Sequence, residues 1–304
     1  MKRRQFLVGS AGALLACGVP RRHEADSREV ERVVDAMATR DGAGVSLHRA
    51  LGSPALPLLD PFLLLDQIRS ADPNDFMAGF PEHPHRGFET VSYLLTGAFE
   101  HRDSVGNHGR IADGGAQWMT AGHGIVHSEM PRQETGRELW GLQLWVNLPA
   151  ARKMIKPRYQ DLGSSAIPEL DVADARVRLV AGTIGATRGP VDGIDVKPTM
   201  LDAKLAPGAR FRHPLPAGHT AFAWMLDGEA RFGRRATPVR AGQLAVLSHG
   251  IELEATAPSG GRFLLLAGAP IGEPVARRGP FVMNTDSELQ QAFADYRSGT
   301  LTLL

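Results

Sequence analysis

The sequence contains very little cysteine and no strong excess of either charge. Cys17 is the only cysteine among 304 residues, so the chain cannot close a disulfide bond within itself. Lys and Arg number 34 against 33 Asp and Glu, which gives a formal net charge of +1 at pH 7. This balance lacks the basic excess that is typical of nucleic-acid-binding proteins, so the composition predicts no nucleic-acid partner.

Several common catalytic motifs are also missing. The sequence has no Gly-x-Gly-x-x-Gly after a strand pattern, no Gly-x-x-x-x-Gly-Lys-Ser/Thr, no His-Glu-x-x-His and no Gly-x-Ser-x-Gly. These motifs position a dinucleotide, a nucleotide phosphate, a catalytic zinc ion and a nucleophilic serine, respectively. Their absence argues against each of those four kinds of enzyme.

The first 17 residues resemble an export signal. Arg3-Arg4 precedes Phe6-Leu7 and an uncharged stretch over residues 8–16 that is too short to span a membrane. The order Arg-Arg-x-Phe-Leu resembles a twin-arginine signal, and Leu-Leu-Ala-Cys at residues 14–17 resembles a lipobox whose cysteine is acylated. We expect a periplasmic or membrane-anchored lipoprotein that reaches the membrane only through Cys17, with a cytoplasmic protein as the alternative.

Short alternating segments separated by Gly, Pro, Asn and Asp dominate the chain from Ala43 onward, which is typical of antiparallel β-structure. Apolar side chains recur at every second position in residues 140–148 and again in residues 222–226. Asp227-Gly228 follows the second series and predicts a tight hairpin, because this pair tolerates a positive φ. The two halves of the chain therefore share one plan.

The pattern predicts an all-β fold of two barrel-like domains with a C-terminal helix. Residues 18–40 are interpreted as a tether, residues 41–150 and 175–285 as the two domains, and residues 149–174, rich in Pro, Gly, Ser and Asp, as their linker. Residues 286–304 are predicted to form the helix and tail. Ser287 with Gln290 suggests a capping box, Leu289, Phe293 and Tyr296 fall on one face, and Gly299 ends the helix.

Histidines concentrate in one short part of the chain. Residues 83–129 hold six of the eleven: His83, His85, His101, His108, His123 and His127. His83-Pro84-His85 and His127-Ser128-Glu129 are both pairs of ligand types two residues apart, and such residues project to the same face of a strand. If the two strands are neighbours, three imidazole nitrogens and one carboxylate oxygen converge on a divalent ion, and iron, manganese, nickel, copper or zinc would accept them.

The same region resembles the pirin family of bicupin proteins. Residues 83–91 read His-Pro-His-Arg-Gly-Phe-Glu-Thr-Val and residues 124–130 read Gly-Ile-Val-His-Ser-Glu-Met. Further matching segments lie at residues 60–66, 101–107, 117–122, 272–275 and 279–285, so the resemblance extends over about residues 41–299. It implies two cupin (β-barrel/jelly-roll) domains, of which the N-terminal one binds a single metal ion.

The resemblance also implies specific roles. Its metal ligands would be His83, His85, His127 and Glu129, with iron as the usual metal, and several bacterial members have quercetin-cleaving dioxygenase activity. The C-terminal domain would hold no metal, since no paired ligand spacing surrounds its histidines, which are His213, His219 and His249. Glu89 occupies the position where cupins in general place a carboxylate ligand, and it remains a minor alternative to Glu129.

Two histidines are candidates for supporting roles beside the metal. His101 alternates with Phe99 and Asp103 and could orient a ligand, although an exposed strand histidine is an equally simple interpretation. His123 stands where family members commonly carry Arg, and we interpret it as a neighbour of the site rather than a ligand.

Two functions fit this sequence. The first is a metal-dependent dioxygenase for a small, flavonol-like aromatic substrate and O2, in which Glu129 is the catalytic general base. The second is a non-catalytic, redox-sensing pirin that acts through a protein partner not identified by the sequence. The expected export argues against a transcriptional form of the second function.

Overall fold

The computed structural model describes residues 27–132 and 137–303. The predicted export signal, with Arg3, Arg4 and Cys17, lies outside these residues. The described part of the chain contains one α-helix, α1 (Asp286–Arg297), and 26 strands. In chain order the strands are β1 (Ser27–Arg28), β2 (Val30–Asp35), β3 (Met37–Asp41), β4 (Val45–Leu51), β5 (Phe62–Ser70), β6 (Phe80–His85), β7 (Phe88–Thr96), β8 (Ala98–Asp103), β9 (His108–Ile111), β10 (Ala116–Thr120), β11 (Ile125–Arg132), β12 (Leu139–Asn147), β13 (Arg158–Leu162), β14 (Glu169–Val172), β15 (Ala175–Ala181), β16 (Thr183–Ile184), β17 (Thr187–Arg188), β18 (Thr199–Leu205), β19 (Ala209–Pro214), β20 (Thr220–Phe232), β21 (Thr237–Arg240), β22 (Gln243–Leu247), β23 (Glu252–Ala257), β24 (Gly261–Gly268), β25 (Ala276–Arg278) and β26 (Phe281–Met283).

The N-terminal domain is built from two antiparallel sheets. Seven strands form the larger sheet in the order β13-β10-β7-β12-β5-β4-β3, and four form the smaller sheet in the order β6-β11-β8-β9. Apolar side chains from both sheets meet in a buried cluster that includes Val45, Ile68, Leu94, Phe99 and Ile111. The smaller sheet carries the His-x-His and His-x-Glu segments, so this core fixes the surface on which they lie.

The C-terminal domain is organised around one eleven-stranded sheet, whose main path is β1-β23-β20-β24-β18-β15-β14. Its interior is a second buried cluster that includes Phe211, Met225, Phe232, Leu253 and Phe263. Alternation along β20 explains why the cluster forms, because Ala221, Ala223 and Met225 belong to it while the residues between them do not.

The β20 residues between these positions, Phe222 and Trp224, pack the two domains against each other. The alternating apolar series on β12 and the series on β20 belong to one buried cluster that spans both domains. Within it, the Phe62 and Phe222 rings lie 5.1 Å apart edge to face. Burying a large apolar side chain contributes about 1.5–3 kcal/mol, so this interface is a major part of the core. The buried Tyr93 hydroxyl also donates to Asp202 across it at 2.7 Å.

The predicted tether over residues 18–40 is wrong for its described part, because most of residues 27–40 lie in strands of the sheets. Strand β1 pairs in parallel with β23, and β2 pairs with β22, so both add to the C-terminal domain. Strand β3 then pairs with β4 of the N-terminal domain. The buried Arg28 guanidinium donates to the backbone oxygens of Pro216, His219 and Ser248, which fixes this segment. The apolar residues here are strand residues, and the segment crosses between the domains.

Two other predicted features differ in position. The linker over residues 149–174 contains β13, which pairs with β10, and β14, which pairs with β15, so the crossing between domains lies between residues 162 and 169. The hairpin predicted at Asp227-Gly228 is also wrong, since β20 runs through both residues. Gly228 has a φ of 70° and lies beside a register shift in the pairing with β24, so its positive φ serves a bulge instead of a turn.

The C-terminal helix forms close to where the pattern predicts it. Its capping box uses Thr285 and Glu288, two residues earlier than predicted, because Thr285 has the extended backbone that the first capping position requires. Leu289 is buried, and Gly299 follows the helix with a φ of 74°, as expected for a helix end. In the described part of the chain, no helix has the length and apolar character needed to cross a membrane.

Candidate metal centre

Three histidines converge on the smaller sheet of the N-terminal domain. Strands β6 and β11 are antiparallel neighbours, as the spacing predicts, and His83 is directly opposite His127. The ring centroids of His83 and His127 are 4.4 Å apart, and those of His85 and His127 are 5.1 Å apart. One ligand atom from each of His83, His85 and His127 lies within 4.8 Å of the others. This spacing allows three imidazole nitrogens to share one ion.

The hydrogen bonds of these histidines leave nitrogen atoms free to bind a metal. Nδ1 of His83 donates to the carbonyl oxygen of Pro81 at 2.7 Å, and Nδ1 of His85 donates to that of Pro280 at 3.2 Å. Since a carbonyl only accepts, both rings carry the proton on Nδ1 and direct a lone pair from Nε2. Both ring nitrogens of the buried His127 have no hydrogen-bond partner among the described residues. The donor set therefore fits a divalent ion.

Burial keeps the two inner histidines neutral. The pKa of His85 is held well below its ordinary value by burial first and then by the charges of His83 and His127. Burial likewise lowers the pKa of His127, with smaller contributions from His83 and His101. A neutral imidazole is the form that binds a metal, so the site does not have to displace protons from these two rings near pH 7.

Glu129 follows His127 by two residues on β11, but its oxygen atoms have other partners. Oε1 accepts a hydrogen bond from the Ser92 hydroxyl at 2.8 Å, and Oε2 accepts one from the Gln143 amide at 2.7 Å. The pairing between β6 and β11 shifts register between His127 and Glu129, which places Glu129 opposite Phe80. Glu129 is buried and is not one of the three residues whose ligand atoms cluster. Its role as fourth ligand stays a prediction.

His101 is buried beside this site and is not an exposed strand residue. It lies opposite Glu129 on the neighbouring strand β8, and its ring stacks on Tyr159 with centroids 5.4 Å apart. Neither ring nitrogen has a hydrogen-bond partner in the described part of the chain. Gly109 makes this packing possible, because a Cβ at that position would lie 2.4 Å from Nε2 of His101. An orienting role for His101 remains a prediction.

The contacts of His123 lead away from the three histidines and toward the C-terminus. Its carbonyl oxygen accepts a hydrogen bond from Nε of the buried Arg86, and its backbone N–H donates to Ile155 at 2.8 Å. Arg86 also forms a 2.6 Å ion pair with Asp295 of α1. His123 thus belongs to the packing that fixes the residue next to His85, and it is not a member of the ligand cluster.

Glu89 is not positioned as a ligand, so the alternative to Glu129 is wrong. Glu89 and Ser92 are an odd number of positions apart on β7 and therefore face opposite sides of the sheet. Ser92 contacts Glu129, whereas Glu89 accepts a hydrogen bond from Thr120 at 2.7 Å. Burial raises the pKa of Glu89 to about 7.

Comparison with known proteins settles the family. The pirin family profile matches residues 44–146, and that of the pirin C-terminal cupin domain matches residues 200–302. The chain belongs to the pirin family. This result confirms the predicted family and its fold of two cupin domains with a C-terminal helix. With the histidine cluster, the cupin fold makes the N-terminal domain a candidate metal centre.

Individual pirin relatives carry different names. A Pseudomonas aeruginosa protein named "Putative quercetin 2,3-dioxygenase" is 44% identical over 269 residues, which cover 86% of this chain and 94% of that protein. Human pirin is 41% identical over 278 residues, covering 90% and 93%. The crystal structure of a quercetin 2,3-dioxygenase from Acinetobacter baumannii superposes with a TM-score of 0.83 at 32% identity, covering 90% of this chain and 98% of that one.

In this pirin-family chain, an open pocket of about 560 Å³ lies in front of the histidines, which suits a small organic ligand. His83 and His85 line it, together with Leu64, Phe80, Gln143, Trp145 and Arg277. The sequence pattern did not single out Gln143, Trp145 or Arg277. Gln143 and Trp145 lie between the apolar positions of β12, so alternation alone could have placed them on the face opposite the domain interface.

Proposed function

We propose that the chain is a mononuclear, metal-dependent dioxygenase that cleaves a ring of a flavonol-like aromatic substrate. The observation that carries the proposal is the cluster of three histidines with free nitrogens beside a pocket lined by Phe80 and Trp145. The names of the Pseudomonas relative and the Acinetobacter structure support it. Substrate and O2 would then be the small-molecule partners.

His83, His85, His127 and Glu129 would hold one divalent ion, and iron is our first expectation among the metals that accept imidazole and carboxylate ligands. When bound, such an ion would supply Lewis acidity, which lowers the pKa of a substrate hydroxyl. The protein's own contribution is three imidazoles held close together, of which His83 and His85 are fixed by backbone carbonyls. Their orientation is set before any ligand arrives, because two of the three rings are already hydrogen-bonded through Nδ1.

Glu129 is the residue that we propose as general base. Its carboxylate is buried and held by Ser92 and Gln143, and Gln143 also lines the open pocket. In this proposal a substrate hydroxyl bound at the histidines transfers its proton to Glu129, which is linked to the pocket wall through its hydrogen bond with Gln143. Phe80 and Trp145 supply an apolar wall against which an aromatic substrate can pack.

Metal analysis combined with oxygen uptake on a panel of flavonols and catechols tests this function. We expect metal-bound protein to consume O2 and release a ring-opened product. Glu129→Gln should keep much of the metal and lose turnover, whereas Glu89→Gln, the matched change of a buried glutamate on the opposite face, should retain turnover. Tight metal binding without turnover on any substrate would contradict the enzyme and favour a regulatory pirin. Unaltered turnover in Glu129→Gln would show that Glu129 is not the general base.

A further inference from the structure

One wall of the metal pocket carries a guanidinium group that the proposed chemistry does not use. Arg277 lies on β25, in the segment that returns from the C-terminal domain to cover the N-terminal one. Its Nη1 donates to the carbonyl oxygen of Leu63 at 2.9 Å, and its Cζ lies 4.6 Å from the ring centroid of Trp145. The side chain is therefore held at one nitrogen and along one face, which leaves an edge of the guanidinium for another partner.

The acidic residues of the pocket do not take up that edge. Asp66 forms two hydrogen bonds with Arg49, at 2.8 and 2.7 Å, and Asp41 forms a third with the same guanidinium at 2.7 Å. Glu82 also lines the pocket and, like Arg277, is exposed, and no ion pair joins these two described residues. Within residues 27–132 and 137–303, no ion pair joins Arg277 to a carboxylate. Arg277 is thus a pocket cation with no carboxylate at ion-pair distance in this part of the chain, and only the more distant charges of Asp66 and Asp41 act on it.

Arg277 is also close to the metal centre. The indole of Trp145 contacts the guanidinium on one side, and its centroid is 5.3 Å from the His85 ring. One aromatic side chain therefore separates the cation from a proposed metal ligand. A ligand with an aromatic ring beside Trp145 would reach the histidines with one substituent and Arg277 with another.

We infer that Arg277 recognises a carboxylate on the substrate, so that the natural substrate is a flavonol-like aromatic compound that carries a carboxylate as well as the metal-binding hydroxyl group. A guanidinium edge matches the two oxygens of a carboxylate, and the stacked, carbonyl-anchored side chain loses little freedom when it binds one. This inference rests on the proposed function, because it assigns the opposite end of the substrate to the histidine centre.

Two probes that differ only in charge test the inference directly. Binding of 3,4-dihydroxybenzoate and 3,4-dihydroxybenzamide to the metal-loaded, full-length protein is measured by isothermal titration calorimetry without oxygen. Both probes carry the same catechol, and only the first carries a carboxylate. We expect the acid to bind about tenfold more tightly than the amide, as a charge-assisted pair in a partly enclosed pocket provides.

Adjacent arginines provide the matched variants. Arg277→Gln should abolish the preference for the acid, and Arg277→Lys should retain only part of it, because lysine keeps the charge without the planar fork. Arg278→Gln removes the same charge one residue away and should keep the preference. The Arg278 side chain is 61% exposed and has Asp286 at 3.9 Å, so it serves as the control. The comparison of the two probes on unaltered protein remains decisive even if an Arg277 variant does not fold.

Equal affinities of the unaltered protein for acid and amide would overturn the inference, as would an acid preference that survives Arg277→Gln. Both results leave the proposed function intact, because the catechol end still binds and oxygen uptake is measured separately. An acid preference that depends on Arg277, in a protein that consumes no O2 with any flavonol or catechol, would support the carboxylate site and contradict the dioxygenase. Failure of both probes to bind would overturn the proposed ligand site between the histidines and Arg277.

Discussion

Two histidines of the candidate centre are oriented by what their Nδ1 atoms contact. Pro81 and Pro280 accept from His83 and His85, so the free lone pair of each ring is already determined. Pro280 belongs to the segment between β25 and β26, far along the chain from His85. The geometry of a metal ligand in the N-terminal domain therefore depends on residues that follow the C-terminal domain.

The first prediction concerns metal content. His85→Ala should remove most of the bound metal, because a three-nitrogen set loses both a donor and its geometry. His83→Ala and His127→Ala should behave in the same way, and His123→Ala should leave the metal content nearly unchanged. The measurement is metal per chain in purified protein.

The control for that experiment is His213→Ala. His213 is as buried as His85, at 4% against 3% exposure, but it lies on β19 and stacks beside Phe211 in the other domain. Both changes remove a buried imidazole, and only one should remove metal. Full metal occupancy in the His85→Ala protein would disprove this assignment.

The second prediction concerns Glu89 and pH. Burial raises the pKa of Glu89 from an ordinary value of 4.5 to about 7. A carboxyl group with a higher pKa in the folded chain binds more protons when folded, so its contribution to stability is present at low pH and is lost as the pH rises to about 7. The free energy of unfolding falls by about 3 kcal/mol at most through this ionisation.

Glu89→Gln should therefore flatten the decrease in stability between about pH 4.5 and 7. Urea unfolding at a series of pH values measures this slope. Glu82→Gln, which changes an exposed glutamate, should leave the slope as it is in the unaltered protein. An identical slope in Glu89→Gln would show that this carboxyl does not ionise in that range.

At the scale of secondary structure, the turn between β6 and β7 links the metal ligands to the C-terminal segment. Gly87 has a φ of 87°, and a Cβ there would lie 2.0 Å from the carbonyl oxygen of Val282 on β26. The buried Lys153 ammonium donates to the oxygens of both Gly87 and Val282. The turn, β26 and the residue pair His85-Arg86 thus form one tightly packed unit.

The third prediction follows from this close approach. Gly87→Ala should destabilise the protein by more than the 1–2 kcal/mol or so expected from a left-handed backbone alone, and it should weaken metal binding by displacing His85. Gly106→Ala is the matched control, because Gly106 has a similar φ of 94° and a Cβ at that position would have no atom within 4 Å. Denaturant unfolding of both variants measures the difference. Equal destabilisation would show that contact with β26 is unimportant.

The sequence predicted the structure best where apolar residues alternate along a strand and one face of that strand is buried. The alternating residues of β12 and β20 identify the domain interface, and the paired spacing of His83, His85 and His127 identifies the cluster. It was least informative where long-range pairing decides the outcome. Strand β2 has only a short apolar pattern, and its partner β22 lies about 210 residues away. Glycine with positive φ is equally compatible with a turn and a bulge, which explains the misplaced hairpin at Gly228.

The candidate site likewise contains features that local spacing predicts and features that depend on residues distant in sequence. Local spacing identified the three histidines, whereas the pocket wall came from residues distant in sequence. Arg277 reaches the pocket from the C-terminal segment, and no local pattern distinguishes it from its neighbour Arg278. The register shift that separates Glu129 from the position expected by simple alternation is also invisible in the sequence.

On the scale of the whole molecule, the N-terminal residues and the C-terminal segment each cross to the other domain. Strands β1 and β2 join the C-terminal sheet, while α1 reaches back to Arg86 through Asp295. Together with the shared apolar interface, these exchanges hold the two domains against each other. We interpret the C-terminal domain as structural support for the N-terminal domain.

The fourth prediction concerns the export that we propose from residues 1–17. Replacing both Arg3 and Arg4 by Lys should retain the protein in the cytoplasm, folded and metal-loaded, because the twin-arginine route requires both arginines. Cys17→Ser should abolish membrane attachment without changing the fold, since residue 17 precedes every strand among the described residues. Cell fractionation and mass analysis of the N-terminus measure both effects. An unprocessed, wholly cytosolic protein without lipid on Cys17 would contradict this localisation.

The central claim is that the histidine cluster holds a metal that serves oxygen chemistry on an aromatic substrate. The most direct test is oxygen consumption by purified protein of known metal content, with flavonols and catechols, compared with that of His127→Ala. We predict O2 uptake in proportion to bound metal, with a ring-opened product, and none above background in the variant. Equal uptake by both proteins, or no uptake by fully metal-loaded protein on every substrate, would contradict the account.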